Sequence, residues 1–118
     1  MIFSEDALAA ALIGAAIELV GFTPRFATDG EAPRTALLRV RPGIVLVDCD
    51  HEGACAPSFL GPALMTGARV VLFGSRRSRR DSDSVARTFG LRSVMLPADV
   101  DRIPELLRAE LEMREGEG

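Results

Sequence analysis

The chain has 118 residues and a formal net charge of −3, the length of a single domain at roughly 100–200 residues each. Apolar residues make up 47% and charged residues 26%, which is enough to build one core and excludes a disordered chain. The acidic balance argues against a nucleic-acid partner, which usually calls for a basic domain.

All fourteen basic residues are arginine. Schiff-base chemistry and the lysine of a phosphate-binding P-loop are therefore excluded. A histidine-based metal cage or a Ser-His-Asp triad would have only His51 to use. Two cysteines do not make a disulfide framework, so the expected compartment is a reducing cytoplasm. The longest apolar run, Ala7 to Ile17, is eleven residues, whereas a membrane span needs about 20.

Met1 to Phe3 reads as a short strand. Asp6 to Val20 follows as a helix, with Ser4 as N-cap and Gly21 as stop. Phe22 to Ala27 is a weak strand that Pro24 confines to a sheet edge. Thr28-Asp29-Gly30 is a turn, and Glu31 to Val40 a short helix that tolerates Pro33 in its first turn and ends at Pro42-Gly43. Ile44 to Val47 is a continuous β-branched and aliphatic run, the mark of a strand buried on both faces. A polar loop runs from Asp48 to Gly53. Pro57 to Met65 reads as a short helix broken by Gly61-Pro62.

Val70 to Phe73 is a second buried strand, and Arg76 to Asp81 a charged loop. Ser84 to Phe89 is a helix ended by Gly90, and Ser93 to Leu96 a further short strand. Val100 to Met113 is a helix with Ile103, Leu106, Leu107 and Leu111 on one face. Arg114 to Gly118 is a charged tail or the start of a linker. Strands alternating with helices predict a parallel α/β sheet with helices on both faces and right-handed crossovers. In such sheets the functional crevice lies at the carboxyl ends of the strands. The residues expected there are Ser4, Glu5, Asp6, Asp48, Asp50, Gly74, Ser75, Arg76, Leu96, Pro97 and Ala98.

In this order and spacing the chain resembles the receiver domain of bacterial two-component response regulators. The resemblance runs over residues 1–113 and rests on several pieces. These are Ser4-Glu5-Asp6 after the first strand, Val20-Gly21-Phe22, Thr28-Asp29-Gly30-Glu31, and Pro42-Gly43-Ile44-Val45-Leu46-Val47-Asp48. Val70 to Phe73 ending near Ser75, and Pro97, complete the set. It implies a flavodoxin-like fold, a five-stranded parallel sheet of order 2-1-3-4-5. It implies phosphoryl transfer from a histidine kinase to Asp48. It also implies Mg²⁺ held by Glu5, Asp6, Asp48 and the backbone carbonyl of Asp50, with the Ser75 hydroxyl contacting phosphate; Arg76 is a separate candidate for the phosphate contact of the missing lysine.

The pattern departs from that family in four places. No lysine follows the fifth strand, where Leu96 or Pro97 stands. Ser4 and Glu5 occupy the positions of the acid pair. Either Gly74 or Ser75 stands at the hydroxyl position. Glu52-Gly53 replaces the usual Met-Pro. A phosphoryl group without its cation loses a charge-assisted contact of roughly 1.5–3 kcal/mol. The expectation is therefore an atypical receiver, not an enzyme, that signals through protein–protein contact with a histidine kinase or a downstream effector. The conventional Mg²⁺-dependent acceptor and a small flavodoxin-like ligand-binding domain stand as alternatives.

Arg76, Arg77, Arg79 and Arg80 form a cation cluster beside the crevice, one of which could replace the missing lysine. Their plainer reading is a solvated loop balanced by Asp81 and Asp83. The mixed loop Asp48, Cys49, Asp50, His51, Glu52 and Cys55 lacks the paired spacing of a zinc site. In the first helix only Glu18 is charged from Ala7 to Val20. If Leu8, Leu12, Ala15 and Leu19 face the core, then Ala10, Ile13, Gly14 and Ile17 are left for a partner or for a homodimer.

Overall fold

The computed structural model describes residues 1–51, 53–74, 79–96 and 98–117, with backbone alone at 79–82 and 111–117. Among these residues four strands, β1 (Ile2–Phe3), β2 (Ile44–Asp48), β3 (Arg69–Gly74) and β4 (Arg92–Met95), form one sheet in the order β1-β2-β3-β4. All three pairings are parallel, with Ile2 opposite Leu46, Val45 opposite Val70 and Phe73 opposite Val94. Among the described residues five α-helices accompany them: α1 (Ala7–Leu19), α2 (Pro33–Val40), α3 (Pro57–Met65), α4 (Arg79–Phe89) and α5 (Ile103–Glu117).

The period-2 alternation of each strand sorts the core into two layers. Val45, Val47, Val70 and Leu72 point to one face, where they meet Ala36 and Leu37 of α2, Phe59, Leu60 and Ala63 of α3, and Ala86 of α4. Leu46, Val71 and Phe73 point to the other, against Ile13, Ala16 and Ile17 of α1 and Ile103 and Leu107 of α5. With both faces covered, β2 and β3 are buried almost end to end, as their unbroken aliphatic sequences require. No helix among the described residues is long and apolar enough to cross a membrane.

Several local expectations change. The N-cap of α1 is Asp6, not Ser4: its carboxylate accepts from the amides of Leu8 and Ala9 at 2.9 and 3.2 Å. Ser4 lies too far upstream to reach those amides, and its hydroxyl turns elsewhere. The segment around Phe22 to Ala27 makes a single parallel bridge, Phe26 to Ile2, with the Ile2 amide donating to Arg25 O at 2.9 Å. Pro24 withholds a donor, which limits any longer ladder there. Gly61-Pro62 does not break α3. Phe59, Leu60 and Ala63 are buried beneath the sheet on both sides of that pair, and their burial outweighs a proline penalty of about 3 kcal/mol.

The charged stretch expected to be a loop up to Asp81 is helical from Arg79. At the other end a short 3₁₀ turn, Val100–Arg102, precedes α5, and the helix continues through the expected tail as far as Glu117.

The largest correction concerns α1. Ile13, Gly14 and Ile17, the expected partner surface, are buried. Pro24 and Phe26 lie over Gly14, each 3.8 Å from where a β-carbon would stand. The helix is turned so that Leu8 and Leu19, 70% and 73% exposed, face outward with Ala11 and Ala15. Its sequence is apolar almost all round, so it carries no one-sided pattern from which to read the inward face.

Candidate functional site at the carboxyl ends of β1 and β2

Parallel pairing of β1 with β2 brings their carboxyl ends side by side, with Phe3 opposite Val47. The next residue after β1 is Ser4 and the last of β2 is Asp48. They are 44 positions apart in sequence, yet the Ser4 hydroxyl donates to Asp48 Oδ2 at 2.7 Å. The second carboxylate oxygen, Oδ1, accepts from the Asp50 backbone N–H at 2.9 Å. Asp48 is buried, 5% exposed. Buried carboxylates require such donors, because an unpaired one costs several kcal/mol.

The surrounding loop supports this arrangement. The Asp48 carbonyl accepts from the His51 amide at 2.9 Å, and the Cys49 amide extends the sheet by donating to Phe73 O at 2.9 Å. The His51 ring meets Phe3 edge-on with centroids 6.2 Å apart, and its Nδ1 accepts from the Ala54 amide at 3.2 Å. His51 is thereby held as part of the loop's own turn. Cys49 and Cys55 form no disulfide, and both are half-buried against the core layer beneath α2 and α3.

Of the expected site residues, Asp48 and Asp50 stand together at this rim, Asp50 through its backbone. Glu5 is exposed beside them. Asp6 adjoins Ser4, whose Oγ accepts from the Asp6 amide at 3.1 Å, but the Asp6 carboxylate is engaged as the cap of α1. Ser75 and Arg76 lie outside the described residues, as do Arg77, Glu52 and Pro97. Leu96, one of the two residues at the expected lysine position, is buried in the layer formed by α1 and α5, and its amide donates to Gly74 O at 2.7 Å.

Ser4 is the residue that sequence reasoning placed at the rim without giving it a role there. The available signal was its position directly after an apolar strand, in the slot where an acid was expected.

Both oxygens of Asp48 serve protein donors, the Asp6 carboxylate serves α1, and no group of three His, Cys, Asp or Glu side chains converges among the described residues. Magnesium asks for near-octahedral oxygens from one or two free carboxylates. What the rim does chemically is hold a buried anion with two neutral donors and no cation of its own among the described residues. No protein-family model matches this chain, and no curated protein matches it.

Proposed function

We propose that this chain is a receiver-like module of two-component type, an atypical one that works in the cytoplasm by presenting a surface to a protein partner. In this reading the segment bridging Ile2 through Phe26 is the fifth, edge position of a sheet with receiver order. The observation that carries the reading is the Ser4–Asp48 hydrogen bond across the ends of β1 and β2. A carboxylate ending the central strand is the receiver's reacting group. Here a hydroxyl stands on it where a second acid and a metal would be needed to make it a phosphoryl acceptor. The absence of lysine from the chain points the same way. The contact surface is then the outward side of α1, where Leu8, half-buried Leu12, Ala15 and Leu19 follow one another at four-, three- and four-residue spacing. A protein partner or a second copy would cover it.

Incubation with acetyl phosphate and Mg²⁺, followed by intact-mass measurement, tests the chemistry. The expected result is an unchanged mass. A gain of one phosphoryl group that disappears in Asp48→Asn would replace this reading with the conventional acceptor. Sedimentation of the wild type and of Leu8→Glu/Leu19→Glu, alone and with candidate kinases and effectors, tests the surface. Loss of an association in the double variant, with its far-UV spectrum intact, is the expected outcome. An association that survives both substitutions removes α1 from the proposal.

A further inference from the structure

The opposite rim of the sheet carries a different feature. Between the end of α1, the end of α2 and the start of β2 lies a cleft of about 200 Å³. Its floor is Ile17, Leu46 and Leu107, all buried core residues, and its walls include Val40 and half-exposed Phe22. Arg25 stands at the mouth. The rest of the lining is largely apolar, and no carboxylate among the described residues pairs with Arg25.

We propose that this cleft is a binding site for a short-chain monocarboxylate, its alkyl chain on the Ile17–Leu46–Leu107 floor and its carboxylate on the Arg25 guanidinium. Each part of that chemistry has its own reason. A dry, apolar cavity of roughly 150 Å³ accepts a molecule the size of benzene, so this cleft suits a chain of about six carbons. The floor of Ile17, Leu46 and Leu107 offers no polar partner for a row of hydroxyls, which disfavours sugars. A guanidinium remains charged at every physiological pH and matches a carboxylate with two parallel donors.

A second observation agrees. The Met1 ammonium donates to Ile44 O at 2.8 Å beside the same cleft. Burial, and then the nearby charge of Arg25, push it down to about 6. The amine therefore sheds its proton more readily beside Arg25, and a carboxylate bound on Arg25 would favour its charged form. The site lies at the Ile44 end of β2, away from Asp48, and does not rest on the signalling reading.

The test is an amide-resolved NMR titration of the full chain at pH 7 and constant ionic strength, with hexanoate, hexan-1-ol, hexylammonium and acetate as probes. Hexanoate is expected to bind saturably and to shift the amides of Phe22, Thr23, Arg25, Val40, Gly43, Ile44 and Leu46 while leaving Ser4 and Asp48 unmoved. Hexan-1-ol should bind about tenfold more weakly, and hexylammonium and acetate not measurably. Arg25→Gln should weaken hexanoate about tenfold and leave hexan-1-ol unaffected, which separates charge from packing. Val40→Phe, at a half-buried wall position, should abolish both by filling the cleft. Equal binding of hexanoate and hexan-1-ol, an unchanged affinity in Arg25→Gln, non-saturable shifts, or shifts only at the Asp48 rim would each overturn the proposal.

Discussion

The two ends of β2 are four residues apart, roughly 13 Å at 3.3 Å per residue, and they solve opposite problems. At the carboxyl end a buried charge, Asp48, is answered from within the fold by the Ser4 hydroxyl and the Asp50 amide. At the amino end a buried apolar floor opens beside a cation, Arg25, that no carboxylate among the described residues answers. The contrast shows how a parallel sheet separates its functions. The carboxyl rim collects turns with free backbone donors and closes on itself, whereas the amino rim is left with an apolar cleft and an exposed charge.

The largest effect is expected from the floor itself. Leu46 is 1% exposed, and Leu46→Ala should cost about 2–5 kcal/mol in urea unfolding. A cost under about 1 kcal/mol would mean that this end of the sheet is looser than its burial indicates.

Next comes the charged end. Asp48→Ala should cost about 1–3 kcal/mol, because it strands the Ser4 hydroxyl and the Asp50 amide. Asp48→Asn keeps an acceptor oxygen and should cost less than half as much. If the two variants unfold at the same denaturant concentration, the carboxylate is not organised by these bonds.

A smaller, stabilising change is expected beside the cleft. Arg41 ends α2 at φ 51°, in the left-handed region, and is exposed. That conformation costs a side-chain-bearing residue about 1–2 kcal/mol, against roughly 0.5–1 kcal/mol for ordering a glycine. Arg41→Gly should therefore raise stability by about 0.5 kcal/mol, read as an increase in the urea midpoint.

The smallest effect concerns the tether of the segment that carries Arg25. Arg39 pairs with Glu31 at 2.8 Å and also donates to Phe26 O at 3.3 Å. The Arg39 hydrogen bond, followed by the Thr28 amide, lowers the Glu31 carboxyl from its ordinary value of 4.5 to about 2. A carboxyl that is more acidic when folded contributes stability that is present in full above its unfolded value. This contribution is lost as pH falls from about 4.5 through about 2. Urea midpoints of the wild type should therefore fall slightly more over that window than those of Glu31→Gln. Parallel curves would show the bridge to be without consequence for folding, a common outcome for exposed pairs.

Legibility in the sequence followed the strength of one-sided patterns. Ile44 to Val47 and Val70 to Phe73 could be read as doubly covered strands because only buried positions accept such runs. The carboxyl-end rim could be read in outline, since Asp48 follows the first of those runs directly. α1 could not be oriented, because nearly every position on it is apolar and either side could have faced the sheet. Pro62 predicts a break in α3 because its signal is local, while the burial of Leu60 and Ala63 that keeps the helix whole is a property of the sheet above them.

By itself the sequence determined the α/β alternation, the two buried central strands, the exclusion of lysine chemistry and the position of Asp48 at a strand end. These follow from residue type and from spacing along one segment. Only the tertiary structure decided that Ser4 would sit on Asp48, that Ile13 and Ile17 rather than Leu8 and Leu19 would enter the core, and that Arg25 would edge an apolar cleft. The reason is physical. Each of these juxtaposes residues from segments far apart in the chain, and parallel strand register sets such distances where local propensity has no say.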